Sequence, residues 1–313
     1  MLRPGNNEMR KAYVDTLIEL AEKDENVVVM EADLAGSIGT ARFRDKFPKQ
    51  FINCGIMEAQ MVCAAAGLSL AGKRPFIHTF GAFAVRRAFD QIFISLAYSD
   101  LSATILGSDA GVTAEFNGGT HMPFEDMGLM RSMHNCYVAE PSDEHMMKAL
   151  LNLSYEKGGL WYIRTTRKKV DQIYNENEKF EPGKAKVLKT GKDATIIATG
   201  ICVADALVAS EELKKKGIDA GVIDMFMINP LDKEAVLNAI PSGRIVTVEN
   251  HFVVNGLGSA VAEVIAESGK AIKFKRLGVN GKYGQTGSLD FLKKEYEIDA
   301  DSIVKAVEGM TKQ

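Results

Sequence analysis

No Cys-x-x-Cys spacing occurs among the four cysteines, Cys54, Cys63, Cys136 and Cys202, and the five histidines are scattered singly. The signature of a protein-held metal site is therefore missing, and the cysteines read as buried, reduced thiols in apolar or small-residue settings. Long hydrophobic runs are also lacking. No segment is apolar for long enough to cross a bilayer, and the start MLRPGNNEMRK has no apolar core of the signal-peptide kind. The expectation is a cytoplasmic protein. Nor is there an excess of positive charge: 38 Lys and Arg face 41 Asp and Glu, for a net charge of −3. That leaves no basic field for a nucleic acid or an anionic membrane. No fixed-period repeat or low-complexity stretch is present.

What is present is the profile of a globular chain, 46% hydrophobic and 25% charged over 313 residues, enough for two domains with their own cores. Residues 7–24 pattern as an amphipathic helix with Met9, Tyr13, Leu17 and Leu20 on one face. The apolar run 27–30 follows as a buried parallel strand. The alternation continues with strands near 51–54, 75–79, 103–106 and 161–164, and helices near 57–71, 84–98 and after Pro141. A polar stretch broken at Pro182-Gly183 separates a second series: strands 194–199, 220–224 and 244–248, with helices near 202–216, 232–239 and 257–268. The expected fold class is α/β, with two doubly wound domains of mostly parallel sheet over 1–170 and 187–313, joined by a linker at 171–186.

The segment from Asn53 to Gly67 is the most informative for chemistry. A short strand turns at Gly55, and Ile56 and Met57 lead into a helix with Glu58 in its first turn and the small residues Ala64, Ala65, Ala66 and Gly67 further on. An acid in a first turn ordinarily complements the helix dipole. This helix, however, carries no other charge until Lys73, so Glu58 is expected to be buried, and a buried carboxyl has to be protonated or paired. Phe80 and Phe83 follow at helical spacing, ahead of Arg86 and Arg87; aromatics at that spacing serve most often as core. Glu31-Ala32-Asp33-Leu34-Ala35-Gly36-Ser37 leaves the end of the first parallel strand, where open α/β sheets place ligands. Asn117-Gly118-Gly119-Thr120-His121 forms a glycine-rich loop. Arg10 and Arg164 offer planar forks suited to phosphate, although either could equally be a solvated surface residue.

Gly-Ile-x-Glu before a small-residue helix, the Ala-Asp-Leu-x-x-Ser loop and the Gly-x-Thr-His loop, in this order, resemble the transketolase family. The resemblance extends past the linker through Thr195–Gly200, Gly221–Met225, Asn229-Pro230-Leu231, Val248–His251 and Gly256–Ser259. It implies a thiamine diphosphate pyrimidine-binding domain followed by a transketolase C-terminal domain. It also implies that Glu58 hydrogen-bonds N1′ of the aminopyrimidine and promotes its imino tautomer. Asp33, Leu34, Ile56, Phe80, Phe83 and Arg86 would line the cofactor. Arg10, Ser37, Asn117, His121 and Arg164 would meet a sugar phosphate, with His121 acting in catalysis at the ketol oxygens. The pattern departs at Asn117, where the family has aspartate, at Gly119 for proline and Met122 for glutamine. Ser108-Asp109 stands where the family keeps a phosphate-contacting histidine.

Gly-Asp-Gly, with which the family holds the diphosphate through Mg²⁺ or Ca²⁺, occurs nowhere in the chain. The resemblance therefore implies the C-terminal half of a split transketolase. Its N-terminal partner subunit would carry the diphosphate-binding domain and the metal ligands, in an α2β2 assembly that moves a two-carbon ketol unit from a ketose phosphate to an aldose. The beta subunit of a 2-oxoacid dehydrogenase's decarboxylating component shares the domain order and is the alternative, as is a non-catalytic paralogue acting as a scaffold.

Overall fold

The computed structural model describes residues 3–311. The first helix spans Met9–Ala21, and its apolar residues recur every three or four positions, so Met9, Tyr13, Leu17 and Leu20 are all buried. They share a core with Met146, Met147, Leu150 and Leu151 of the helix Glu144–Lys157. That helix is capped by Asp143, whose Oδ1 accepts from the Met146 amide at 2.9 Å. Its Oδ2 accepts from the amides of Ile173 and Tyr174, so the same carboxylate pins the start of the interdomain segment.

The first domain is built on a seven-stranded sheet in the order Met227–Asn229, Cys136–Ala139, Leu160–Thr165, Ala103–Ser108, Arg74–Phe80, Val27–Glu31, Phe51–Asn53. All pairings are parallel except the first, in which Met227 and Asn229 pair antiparallel with Ala139 and Val138. The second domain holds a five-stranded sheet in the order Lys273–Val279, Arg244–Phe252, Ala194–Ala198, Ala220–Asp224, Lys186–Lys189, with only the last strand antiparallel. Two α/β domains with mostly parallel sheets are thus observed. The boundary is less clean than a single linker suggests, because strand 227–229 crosses back to close the edge of the first sheet.

Two expectations need correction. The single helix near 84–98 is instead a turn at Gly81–Ala84, a short helical stretch at Phe89–Gln91 and a π-helix at Ile92–Ala97. The break falls at Val85–Ala88, where Val85 and Ala88 turn inward while Arg86 and Arg87 stay exposed. The thiols are not uniformly buried either: Cys136 and Cys202 are, but Cys54 is half-buried and Cys63 is exposed on the outward face of the helix Glu58–Leu70. Beyond residue 268, a strand at 273–279 and helices at Leu289–Glu295 and Ala300–Thr311 complete the second domain. No helix of the described residues is long and apolar enough to cross a membrane.

Candidate functional site at the carboxyl ends of the first sheet

Six parallel strands of the first sheet release their chains on one side, the usual place for a ligand in an open α/β sheet. From Phe51–Asn53 the chain turns at Gly55, at a φ of 69°, and delivers Glu58 to the first turn of its helix. Glu58 is 2% exposed. Both of its carboxylate oxygens accept from Nη1 of Arg87, at 2.9 and 3.0 Å. The Arg87 guanidinium also lies 4.3 Å over the Phe83 ring. A planar, N–H-bearing group thus bridges Glu58 and an aromatic face, and that donor set suits the edge and face of an aminopyrimidine.

Phe80 and Phe83 lie 6.2 Å apart, and His121 packs edge-on to both, at 5.8 and 5.2 Å between ring centroids. The His121 Nδ1 is engaged by Thr120 Oγ1 at 2.9 Å, which leaves Nε2 for an outside group. Arg86 does not face Glu58. Its Nε pairs with Glu125 Oε1 at 2.8 Å and its Nη2 donates to the Thr120 carbonyl, so it braces the histidine loop. Burial pushes the Glu125 carboxyl up, against the pull of Arg86. Of the two adjacent arginines it is Arg87 that reaches the acid, and the sequence does not show which one does because the choice depends on the helix break at 85–88.

A second group assembles around Ser37. Arg10 donates from Nη1 to the Ser37 carbonyl at 3.0 Å while its Nε pairs with Glu8. Arg167, which sequence reasoning missed, donates from Nη1 to Ser37 Oγ and from Nε to Asp109 Oδ1 at 2.7 Å. Its guanidinium also sits 5.3 Å from the Phe80 ring centroid, joining this cluster to the aromatic one. The Asn117 amide donates to Asp109 Oδ2 at 3.4 Å. Asp33 is exposed, and Asn53 bonds both its amide and its carboxylate at 3.1 Å. Leu34 is half-buried beside it, and Ile56 is 71% exposed at the rim.

Arg164 does not join these residues. It is fully buried between the domains, with Nη1 on Asp126 at 2.9 Å, Nη2 on the Asn250 carbonyl at 2.7 Å and Nε 3.6 Å from Glu140. Asn250 in turn receives the Val112 amide and donates to the Ala110 carbonyl, tying the second domain to the root of the histidine loop. The structure therefore gives Arg164 a place in an interdomain ion cluster, and Arg167 is the arginine of that strand end that reaches the cleft. The signal that could have found Arg167 is its place just past the strand end, where a side chain clears the sheet.

An apolar surface flanks the site. Ile56, Met57, Leu70, Phe93, Ile94 and Tyr98 are all exposed, Tyr98 by 82%. They lie on the N-terminal approach and outer end of the Glu58 helix and on the π-helix packed against it.

Comparisons with known proteins agree with this architecture. The model of the transketolase pyrimidine-binding domain matches residues 6–172, and that of the transketolase C-terminal domain matches residues 183–303. The chain belongs to the transketolase family, as the piece that carries these two domains. It is 43% identical to the 6-deoxy-6-sulfo-D-fructose transketolase subunit SqwH of Clostridium sp. (strain MSTE9), over 97% of this chain and 95% of that one. It is 36% identical to the transketolase of Homo sapiens, over 96% of this chain but only 48% of the human one. A solved structure described as a split gene transketolase, inactive beta4 tetramer, superposes with a TM-score of 0.88 at 39% identity, covering 98% of each chain.

Proposed function

We propose that this chain is the pyrimidine-side subunit of a two-chain, thiamine diphosphate-dependent transketolase, and that it works only with a partner subunit bearing the diphosphate-binding domain. One observation carries the reading: a carboxylate shielded from water beside an aromatic face, with a planar N–H donor bridging the two. When bound, thiamine diphosphate would supply the electron sink for carbon–carbon bond cleavage, its diphosphate and Mg²⁺ or Ca²⁺ held by the partner.

The chain's own residues do the rest. Glu58 would hold a proton at the ring nitrogen N1′ of the pyrimidine, from a side chain shielded from water. Phe80 and Phe83 supply flat apolar surface for the ring, and His121 offers Nε2 to an oxygen of the sugar. Arg10 and Arg167, converging on Ser37, suit the anionic end of a ketose or aldose. Asn117 offers its carbonyl oxygen to a hydroxyl. The apolar face around Tyr98 is where the partner, or a second copy in an α2β2 assembly, covers the site.

The test is reconstitution with a candidate partner, thiamine diphosphate and Mg²⁺. Ketol transfer from a ketose phosphate, and from the sulfonated ketose named for the Clostridium relative, is compared with 2-oxoacid decarboxylation using an artificial electron acceptor. Transfer supports the reading. Decarboxylation in its place moves the chain to the 2-oxoacid dehydrogenases, and the absence of cofactor binding in calorimetry, with and without the partner, makes it a scaffold.

A further inference from the structure

We propose that Asp109 is the positioning residue for substrate recognition, holding Arg167 and Asn117 in register so that one presents N–H groups to an anion and the other a carbonyl oxygen to a hydroxyl. The inference deepens the function proposed above and rests on it. Asp109 is 2% exposed, immediately beyond the Ala103–Ser108 strand, and adopts a φ of 57°, a left-handed conformation that suits Asp and Asn best among residues with a Cβ.

Its place is fixed from beneath. Thr40 Oγ1 donates to Glu31 Oε1 at 2.6 Å, Glu31 Oε2 lies 2.8 Å from His78 Nδ1, and His78 Nε2 lies 2.9 Å from Ser108 Oγ. All four side chains are buried. The residue preceding Asp109 is therefore locked by a chain of hydrogen bonds that no solvent enters, and its carboxylate has little freedom to follow a moving partner.

From that position Asp109 uses one oxygen for Arg167 Nε at 2.7 Å and the other for Asn117 Nδ2 at 3.4 Å. Two consequences follow. Arg167 has its Nε edge on Asp109 and Nη1 on Ser37, and among the described residues no hydrogen bond engages Nη2. The guanidinium is thus oriented with donors left for an outside anion. The Asn117 amide spends one of its two N–H groups on Asp109, which fixes the nitrogen end of the amide and leaves its carbonyl oxygen to accept from a hydroxyl, so it replaces the family's aspartate in function while remaining neutral. One carboxylate sets both polarities.

An orienting role and a merely neutralising role give opposite signs. Asp109→Asn keeps the size and tolerates the positive φ but removes a negative charge beside Arg167. If Asp109 only cancelled charge, the variant would bind anions more tightly. If it orients, the variant binds them less tightly. Two measurements separate the cases. On the chain alone, inorganic phosphate is titrated and followed by ³¹P line broadening. The expected result is binding that Arg167→Ala abolishes and Asp109→Asn weakens at least fivefold. Equal or tighter binding by Asp109→Asn, or wild-type binding that is absent or indifferent to Arg167→Ala, overturns the proposal.

In the reconstituted complex, with one donor held fixed, kcat/KM is compared for D-ribose 5-phosphate and for glycolaldehyde, which has no anionic end. Asp109→Asn should lower the ratio of the two values at least tenfold, through KM for the phosphorylated acceptor. A parallel loss on both acceptors would mark a purely structural residue and refute the role. Should Asp109→Asn fail to fold, Asp109→Glu, which keeps the charge but displaces the carboxylate, must lower the same ratio or the proposal falls. A wild-type complex that transfers to neither acceptor defeats the proposed function, and the phosphate titration then decides on Asp109 by itself.

Discussion

Replacing Glu140 with Gln should make the protein more stable at pH 8 relative to wild type than it is at pH 5. Glu140 is buried at the domain interface, with Oε1 3.6 Å from Arg164 and, among the described residues, no hydrogen-bond partner for Oε2. Burial raises its carboxyl from an ordinary 4.5 to about 7, the nearby Arg164 pulling it down and Asp126 pushing it up. A carboxyl whose folded value lies above its unfolded one stabilises the fold fully below the unfolded value. That contribution is lost as pH rises through the folded value, because the native state holds the proton that the unfolded chain has given up. Between pH 5 and pH 8 the loss at Glu140 is on the order of 2 kcal/mol. Glu249 and Asp224, each pushed up to about 7 chiefly by burial, act in the same direction. His251, pulled down to about 4 chiefly by burial, acts in the opposite one: its contribution is absent at low pH and regained as pH rises through the unfolded value. The charge of Glu140 also helps to raise Glu249 and Asp224, so the difference between variant and wild type reports Glu140 together with that coupling, which relaxes in the same direction in the variant. Reversible urea unfolding by circular dichroism at pH 5, 6, 7 and 8, at fixed protein concentration, gives the curve. A difference that stays flat across the four pH values would refute the reasoning.

Arg87→Ala leaves the buried Glu58 carboxylate without its guanidinium; because Arg87 is half exposed, the expected loss is about 1 kcal/mol, read from urea unfolding of the chain at pH 8. No loss would show that solvent already serves Glu58. Gly200 has a φ of 55°, and a Cβ there would lie 2.2 Å from Glu140 Cδ. Gly200→Ala should therefore cost about 2 kcal/mol or more in thermal unfolding, and a Tm equal to wild type would contradict the packing at the interface. Tyr98→Glu, on the exposed π-helix, should weaken association with the partner or with a second copy at least tenfold in sedimentation, since burying a tyrosine is worth about 1.5–3 kcal/mol. The far-ultraviolet spectrum should not change. Undiminished association would place the interface elsewhere.

Long elements with clear periodicity were legible in the sequence. Met9–Ala21 shows its buried stripe directly, and the strands at 27–31, 194–198 and 220–224 are mostly apolar and buried throughout. Short pieces were not legible. Cys136–Ala139 becomes a strand by pairing with Leu160–Thr165, and Met227–Asn229 by finding Cys136–Ala139 at the sheet edge, tertiary facts with no local pattern. Lys273–Val279 is charged over its first half, as an edge strand can be, and hides among polar residues. The helix Ala300–Thr311 could have been found, since Ile303, Val304 and Val307 share a face. In the site, Glu58 stands out as the one charge of an apolar helix. The roles of Arg87, Arg167 and Asp109 do not, because each depends on geometry the sequence does not carry: a helix break, reach beyond a strand end, and a left-handed residue on a buried chain of hydrogen bonds.

The most direct measurement is ketol transfer by the reconstituted complex with Glu58→Gln, with cofactor binding followed separately by calorimetry. Removing a positioned acid–base group costs about 10²–10⁴ in rate. The expected outcome is a fall of at least a hundredfold in transfer by a complex that still binds thiamine diphosphate. A rate within a few-fold of wild type would show that the buried carboxylate has no part in the reaction.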